Sequence, residues 1–380
     1  MNKKETAEIK KQFTPANCAA TRICGCYVDG EKNKVTRFRE AFLSLPEEEI
    51  FKYFEIFRKT LSGTLGKNLL NMEFPLETEK EGGTQEFLLR LRDSGLQDEE
   101  LLEEYYDKVI DSFTYGENYL ILLIHAAYDV PGKASDNLEM FDASDEVYQF
   151  IISCVCPVNL AKPALSYNPE EHCFQNRIRD WIVDLPMLGF LFPAFNDRSS
   201  DIHSLLYYSK NPEDLHFDFT DSLLGCTLPL TAKDQKEVFQ ELIEETLGDS
   251  CDYQVVREIH DNLHELAEEK KDSPDPVMLS QAEVRNLLSI SGVDEEKLEN
   301  FDRNFEAAAG ENASFMASNI MNSRKFEVKT PDVTIQVSPD RADLVERRII
   351  DGRPCLVIPI TDQVQVNGIT VKNDAVQRED

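Results

Sequence analysis

Asn196-Asp197-Arg198-Ser199-Ser200-Asp201-Ile202-His203 gathers two carboxylates, a guanidinium and an imidazole into one short stretch. A carboxylate beside an imidazole can pass a proton, so Asp197 or Asp201 with His203 could work as a general acid–base pair. Arg198 could hold an anionic group next to them, and His125 could assist from elsewhere in the chain. The same residue types also make a turn that satisfies itself. Asp and Ser then accept from backbone N–H groups, and Arg198 pairs with an acid. Both readings, a catalytic loop and a capped turn, fit the residues.

Metal chemistry has two candidate sets, and no bound metal or other cofactor is expected from either. Cys24-x-Cys26 and Cys154-x-Cys156 each place two thiols at i and i+2. On strands such pairs share a face, and two pairs brought together would make a tetrathiolate zinc site. In apolar strands the same thiols serve as packing. His260 and His264 stand at i and i+4, one face of a helix, a spacing that can bind zinc. Asp261, not Glu, follows the first of them, and Glu258, Glu265, Glu268 and Glu269 surround the pair, which suits a solvated acidic helix. Gly63-Thr64-Leu65-Gly66-Lys67-Asn68 fails as a phosphate loop: two residues, not four, separate the glycines, and Asn68 stands where Ser or Thr would ligate magnesium. Neither a Gly-x-Ser-x-Gly elbow nor a kinase motif set is present.

The polar cluster at 196–203 interrupts the densest apolar and aromatic stretch of the chain, residues 181–210. Two apolar runs with turn residues between them predict two strands joined by a short loop. Upstream, residues 23–28 alternate as on a strand, and Asp29-Gly30 marks a turn. Ser44-Leu45-Pro46-Glu47 reads as a capping box before a helix ending near Gly63. A second helical region covers 84–113, broken near Gly95, and residues 119–128 and 147–158 read as buried strands. Strands in series without helices between them predict a mainly antiparallel sheet, with the early helices over one face.

Thr231 opens a helix stopped at Gly248, Ser273-Pro274-Asp275-Pro276 marks a break, and Ser280-Gln281-Ala282-Glu283 is a second capping box. Short strands follow from Lys325, with Asp351-Gly352 and Asn367-Gly368 as hairpin turns. The expected fold is α+β: a core domain over 1–230, a helical module over 231–323, and a small β module with a polar tail over 324–380.

Composition narrows the function classes. The chain has 380 residues, with 40 basic against 71 acidic side chains for a net charge of −31. Such a surface repels phosphate backbones and anionic bilayers, which argues against nucleic acid and membrane as partners. Residues 1–40 carry nine basic and five acidic side chains, a local +4 that could dock on the acidic remainder or meet an anionic partner. The longest apolar run, 119–127, is far short of the roughly 20 residues of a membrane span. The first residues lack an apolar leader, and nine Cys without scaffold spacing suit free thiols in a reducing cytoplasm.

Several motifs carry a family resemblance. They are Gln12-Phe13-Thr14-Pro15, Thr21-Arg22-Ile23-Cys24-Gly25-Cys26-Tyr27-Val28-Asp29-Gly30, Tyr128-Asp129-Val130-Pro131-Gly132, Cys156-Pro157-Val158, the run from Gly189 through Arg198, and Val366-Asn367-Gly368-Ile369. Together they resemble the DUF4317 family of clostridia-like Firmicutes over nearly the whole chain. The resemblance implies a bacterial cytoplasmic protein and brings no activity, cofactor or catalytic residue. Residues 326–366 are also similar in pattern to the strand-rich tail of the nucleoid-associated 37-kDa family.

With no complete catalytic motif, the leading expectation is a non-catalytic protein that binds another protein or assembles with itself. The alternatives are an enzyme using the Asp197, Arg198, Asp201 and His203 loop, or a nucleoid-associated protein.

Overall fold

The computed structural model describes residues 1–133, 139–248, 251–310, 313–322, 325–360 and 364–371. The fold is α+β, and the chain divides into two compact units: Met1–Asp234 with Pro274–Pro276, and Gln235–Ser273 with Val277–Asp380. The helical stretch and the C-terminal strands, read from sequence as two modules, share the second unit.

The elements of the first unit that matter here are α1 (Lys3–Lys10), β1 (Ala20–Val28), β2 (Lys34–Ala41), α2 (Glu47–Thr60), β3 (Leu69–Glu73), α3 (Thr84–Asp93), α4 (Glu99–Ser112), β4 (Tyr119–Lys133), β5 (Glu139–Leu160), β6 (Trp181–Val183), β7 (Leu188–Phe192), β8 (Ala194–Asn196), β9 (Ser199–Asp201) and β10 (Ser204–Ser209). The main sheet runs β2-β1-β4-β5-β7-β10-β3, with β6 pairing the end of β5. Every pairing in it is antiparallel.

Helices cover both faces of this sheet, not one as the sequence suggested. On the first face Cys24, Cys26, Ile121, Leu123, Val155 and Phe190 pack with Leu88 and Leu91 of α3 and Leu102, Tyr105 and Val109 of α4. On the other, Ile23, Leu122, Ile124, Ile152, Leu191 and Leu206 pack with Phe54 and Phe57 of α2 and Ile9 of α1. The reason is in β4: Leu120-Ile121-Leu122-Leu123-Ile124 carries no polar alternation, so neither of its faces can be left to water.

Local signals set several boundaries. The two helical segments on either side of Gly95 are α3 and α4, and Asp98 caps α4 by accepting from the N–H groups of Glu100 and Leu101. The Ser44 box does not form. Residues Phe42–Ser44 make a 3-10 turn, the Ser44 hydroxyl donates to Ala41 O at 2.7 Å, and Pro46 opens α2 without a side-chain cap.

In the second unit a helix over Tyr253–Glu269 carries His260 and His264. Ser280 and Glu283 form the expected reciprocal box. Strands Phe326–Lys329 and Thr334–Val337, Glu346–Ile350 and Arg353–Val357, and Val364–Val366 and Ile369–Val371 form separate antiparallel pairs. Asp351, Gly352, Asn367 and Gly368 all have positive φ, as two-residue hairpin turns require. Among the described residues no helix is long and apolar enough to cross a membrane.

Candidate functional site

The loop at 196–203 is itself a hairpin. Asn196 pairs with Ser199 across β8 and β9, which leaves Asp197 and Arg198 as the two turn residues. Both are left-handed, at φ 51° and 60°. Turns of this shape favour Asn and Gly, and an arginine there is held by its surroundings.

Helix α1 supplies that hold. Asn2 and Glu5 cap its N-terminus reciprocally. The Glu5 carboxylate accepts from Asn2 N–H at 2.7 Å and, through its other oxygen, from Asp197 N–H at 2.8 Å. One turn later Glu8 takes Arg198 Nη1 at 2.9 Å and the Tyr128 hydroxyl at 2.9 Å. Arg198 Nη2 also donates to Pro131 O at 3.1 Å. A groove of about 790 Å³ lies over this junction, lined by α1, Tyr128, Pro131, Asp197 and Arg198.

The four loop residues separate into two groups. Asp197 and Arg198 line the groove, whereas Asp201 and His203 are not among its lining residues. The Asp201 carboxylate accepts from Asn196 Nδ2 at 2.6 Å and from His203 N–H at 3.0 Å. Burial pushes its pKa up, but hydrogen bonds from Ser204, Asn196 and His203 outweigh that and hold it below the usual carboxylate value. The His203 ring turns to Glu79, with Nδ1 2.6 Å from Oε1, and that hydrogen bond and charge raise its pKa. His125 lies on β4, 8 % exposed, with Nδ1 2.7 Å from Thr21 Oγ1. Burial first, and then the Arg92 charge, lower its pKa. Its ring does not line the groove either.

The cysteine pairs lie on opposite faces of the sheet. Cys24 and Cys26 belong to the face under α3 and α4, and Cys154 and Cys156 to the face under α2. Strand register fixes this: Cys24 pairs with Leu123 and Leu123 with Ser153, so the thiols of β5 point the other way. The four sulfurs therefore cannot surround one ion. Burial also pushes the Cys24 thiol up to about 12 and that of Cys26 to about 11.

His260 and His264 share a helix face but have different neighbours. The His260 ring packs edge-on against Phe326 at 5.0 Å, and His264 Nε2 lies 2.8 Å from Asp340 Oδ1. No group of three or more His, Cys, Asp or Glu side chains is placed to hold a metal among the described residues.

The surface with the clearest chemical demand lies away from all of these motifs. Between β5 and β7 the chain leaves the sheet as an arm, residues 161–187. Strand Leu165–Asn168 pairs with Cys173–Asn176, and β6 returns alongside the end of β5. Leu165 is 74 % exposed, Phe174 72 %, Ile178 83 % and Trp181 58 %, and Tyr167, Ile182, Val183 and Leu185 are exposed too. The first apolar run of 181–210 is thus not all core: Trp181–Val183 pair with β5 but stay exposed, and burial begins only at Pro186. A signal was available, because Leu165-Ser166-Tyr167-Asn168 alternates apolar and polar. Alternation promises one apolar face, but it does not say what that face meets.

These features define an α+β protein whose main sheet is buried on both sides and which carries an exposed apolar β-arm. The chain belongs to the family described as Domain of unknown function (DUF4317), whose model matches residues 1–369. No curated protein matches it.

Proposed function

We propose that this chain is a non-catalytic cytoplasmic interaction protein that engages a protein partner through the arm at 161–187. The observation that carries the reading is the arm's exposed apolar surface. Eight large apolar side chains stand open to solvent within 21 residues of sequence. Single exposed apolar residues are ordinary, but eight so close in sequence, with the Tyr167 and Phe174 rings 5.4 Å apart, mark a contact surface. A net charge of −31 sets the surface against nucleic acid and anionic bilayers, which leaves protein as the fitting partner class. In the groove over Asp197 and Arg198 the pairing of the Arg198 guanidinium with Glu8 favours a capped turn.

A photo-crosslinking amino acid placed singly at Phe174, at Trp181 and at Ser166 in the full chain tests this in cells. Ser166 alternates with Leu165 and Tyr167 along its strand, so it faces the other side of the ribbon. The expected result is a discrete protein adduct from positions 174 and 181 and little from 166. Equal background labelling at all three positions would overturn the proposal.

A further inference from the structure

We propose that Lys10 is an acylation site: its amine takes an acyl group from a small acyl phosphate, and Arg58 and Lys59 hold the phosphate that leaves. The site is independent of the arm and of any partner bound there.

A lysine reacts only as the free amine, and at pH 7.5 about one ordinary lysine in a thousand is in that form. The carboxylate that usually holds a half-buried ammonium is missing at Lys10. The residue closes α1, half-buried, and its Nζ donates to the Ser62 hydroxyl just past the end of α2. Ser62 is neutral, and no carboxylate pairs with the Lys10 ammonium among the described residues. The charges nearby are positive instead. Ser62 Oγ donates to Arg58 O, so the Lys10 head sits at the last turn of α2, which carries Arg58 and Lys59. Neither forms an ion pair among the described residues, and Lys59 lies over the Tyr208 ring, 5.9 Å from its centroid. In a chain with 71 acidic against 40 basic side chains, three cations at one junction without a carboxylate are the exception. Burial first, and then the Arg58 and Lys59 charges, lower the Lys10 pKa. Desolvation beside like charge is how a lysine amine becomes a nucleophile.

The hydrogen bonds also orient the amine. The Ser62 proton goes to Arg58 O, so Ser62 can only accept from Lys10. When Lys10 is neutral, one of its N–H groups points to Ser62 and its lone pair stays free. Arg58 and Lys59 suit a reagent that carries a dianionic phosphate beside its reactive carbonyl. The exposed Arg58 offers a fork of N–H donors, and Lys59 adds a point charge. The Lys10 lone pair attacks the acyl carbon, the bond from that carbon to the phosphate oxygen breaks, and phosphate leaves with its electron pair. The nitrogen, once bonded to carbon, gives its extra proton to water. The product is an amide at Lys10, with one positive charge fewer at the junction.

The test is timed treatment of the folded full chain with acetyl phosphate at pH 7.5, with acetylation at each lysine measured by peptide mass spectrometry. Lys271 is the comparison. Its side chain is 68% exposed, but it pairs with Glu268 at 3.0 Å, which raises its pKa. Exposure alone makes Lys271 the faster of the two. The expected result is the reverse, with Lys10 faster by about tenfold or more. Arg58→Gln with Lys59→Gln in one chain should bring Lys10 down to the rate of Lys271, with an unchanged circular dichroism spectrum. Lys52→Gln removes a cation of the same helix that pairs with Glu55, and should leave Lys10 fast. An uncharged active ester of acetate should favour Lys10 less than acetyl phosphate does, and excess inorganic phosphate should slow only the acetyl phosphate reaction. A Lys10 no faster than Lys271 overturns the proposal. So does a preference that survives the loss of Arg58 and Lys59, or one that the uncharged ester shows in full, because the phosphate would then have no part in it.

Discussion

Arg198 shows what a single side chain can impose on the backbone beneath it. Its φ of 60° lies in the left-handed region, and its guanidinium bridges Glu8 and Pro131 O across the hairpin–helix junction. Left-handed backbone costs a non-glycine residue about 1 kcal/mol, while a partly buried ion pair with hydrogen bonds returns more than an exposed one. Replacing Arg198 separates the two effects. Arg198→Ala should destabilise the first unit by about 1–2 kcal/mol, having lost the pair and kept the strain. Arg198→Gly loses the same pair but relieves the backbone, so it should be less damaging by about 0.5–1 kcal/mol. Urea unfolding of both variants measures the gap, and an Arg198→Gly protein weaker than Arg198→Ala would contradict the strain. At this scale the sequence was half legible. Residues 196–203 announce a turn rich in hydrogen-bonding groups, and the capped-turn reading needed an acid for Arg198. That acid, Glu8, is 190 positions away, and no spacing rule connects the two.

Elements were legible where a signal was local and complete. Asp351-Gly352 and Asn367-Gly368 supply the positive φ their turns need, and Ser280 and Glu283 reach each other within one helical turn. The Ser44 box failed because a preceding 3-10 turn claims the Ser44 hydroxyl first. Strand β3 escaped notice because it is short and follows a glycine-rich turn; its partner β10 lies far along the chain. That α2 takes the face opposite α3 and α4 was hidden as well, and its packing depends on Gly189. A Cβ there would stand 2.5 Å from Ser153 O, 2.7 Å from Thr60 Cγ2 and 2.9 Å from Cys154 Cβ. Two of those neighbours belong to the adjacent strand and cannot retreat without disturbing the ladder, so Gly189→Ala should cost about 2–3 kcal/mol through overpacking. The exposed Gly116→Ala, whose Cβ would meet nothing within 4 Å, serves as the control and should be near neutral. Comparable melting temperatures for the two variants would refute the close approach of α2.

Across the whole molecule, charge and burial act on stability with different signs. The basic head finds partners in its own unit: Lys34 contacts Glu103 at 2.9 Å and Asp107 at 2.6 Å, and Arg37 meets Glu103 at 3.0 Å. Composition showed the +4 head and the acidic remainder, but not that α4 would be the surface brought against β2. Histidine sets the pH response near neutrality, because carboxylates stay ionised until far lower pH. His125, His216 and His260 are each lowered from the ordinary value of 6.5, in every case chiefly by burial. A folded-state pKa below the unfolded one means that the unfolded chain binds more protons, so stability is full above about 6.5 and declines as pH falls below it. His203, raised by Glu79, has the opposite sign, but its exposed ring makes that contribution small. Calorimetric melting at pH 7.5 and 5.5 should give the lower transition temperature at 5.5, and a rise on acidification would contradict the burial of these rings. The order of strands in the sheet has a further consequence, in time and not in energy. The edge strand Leu69–Glu73 is synthesised early, yet its ladder partner is Ser204–Ser209, and the second edge of β1 must wait for β4. Two ladders, β1 with β4 and β3 with β10, close over long stretches of chain, which makes for slow folding. Until residue 209 has left the ribosome, a growing chain carries bare apolar ribbons with open edges, so this protein should lean on chaperones during its birth more than its acidic, well-solvated surface would suggest.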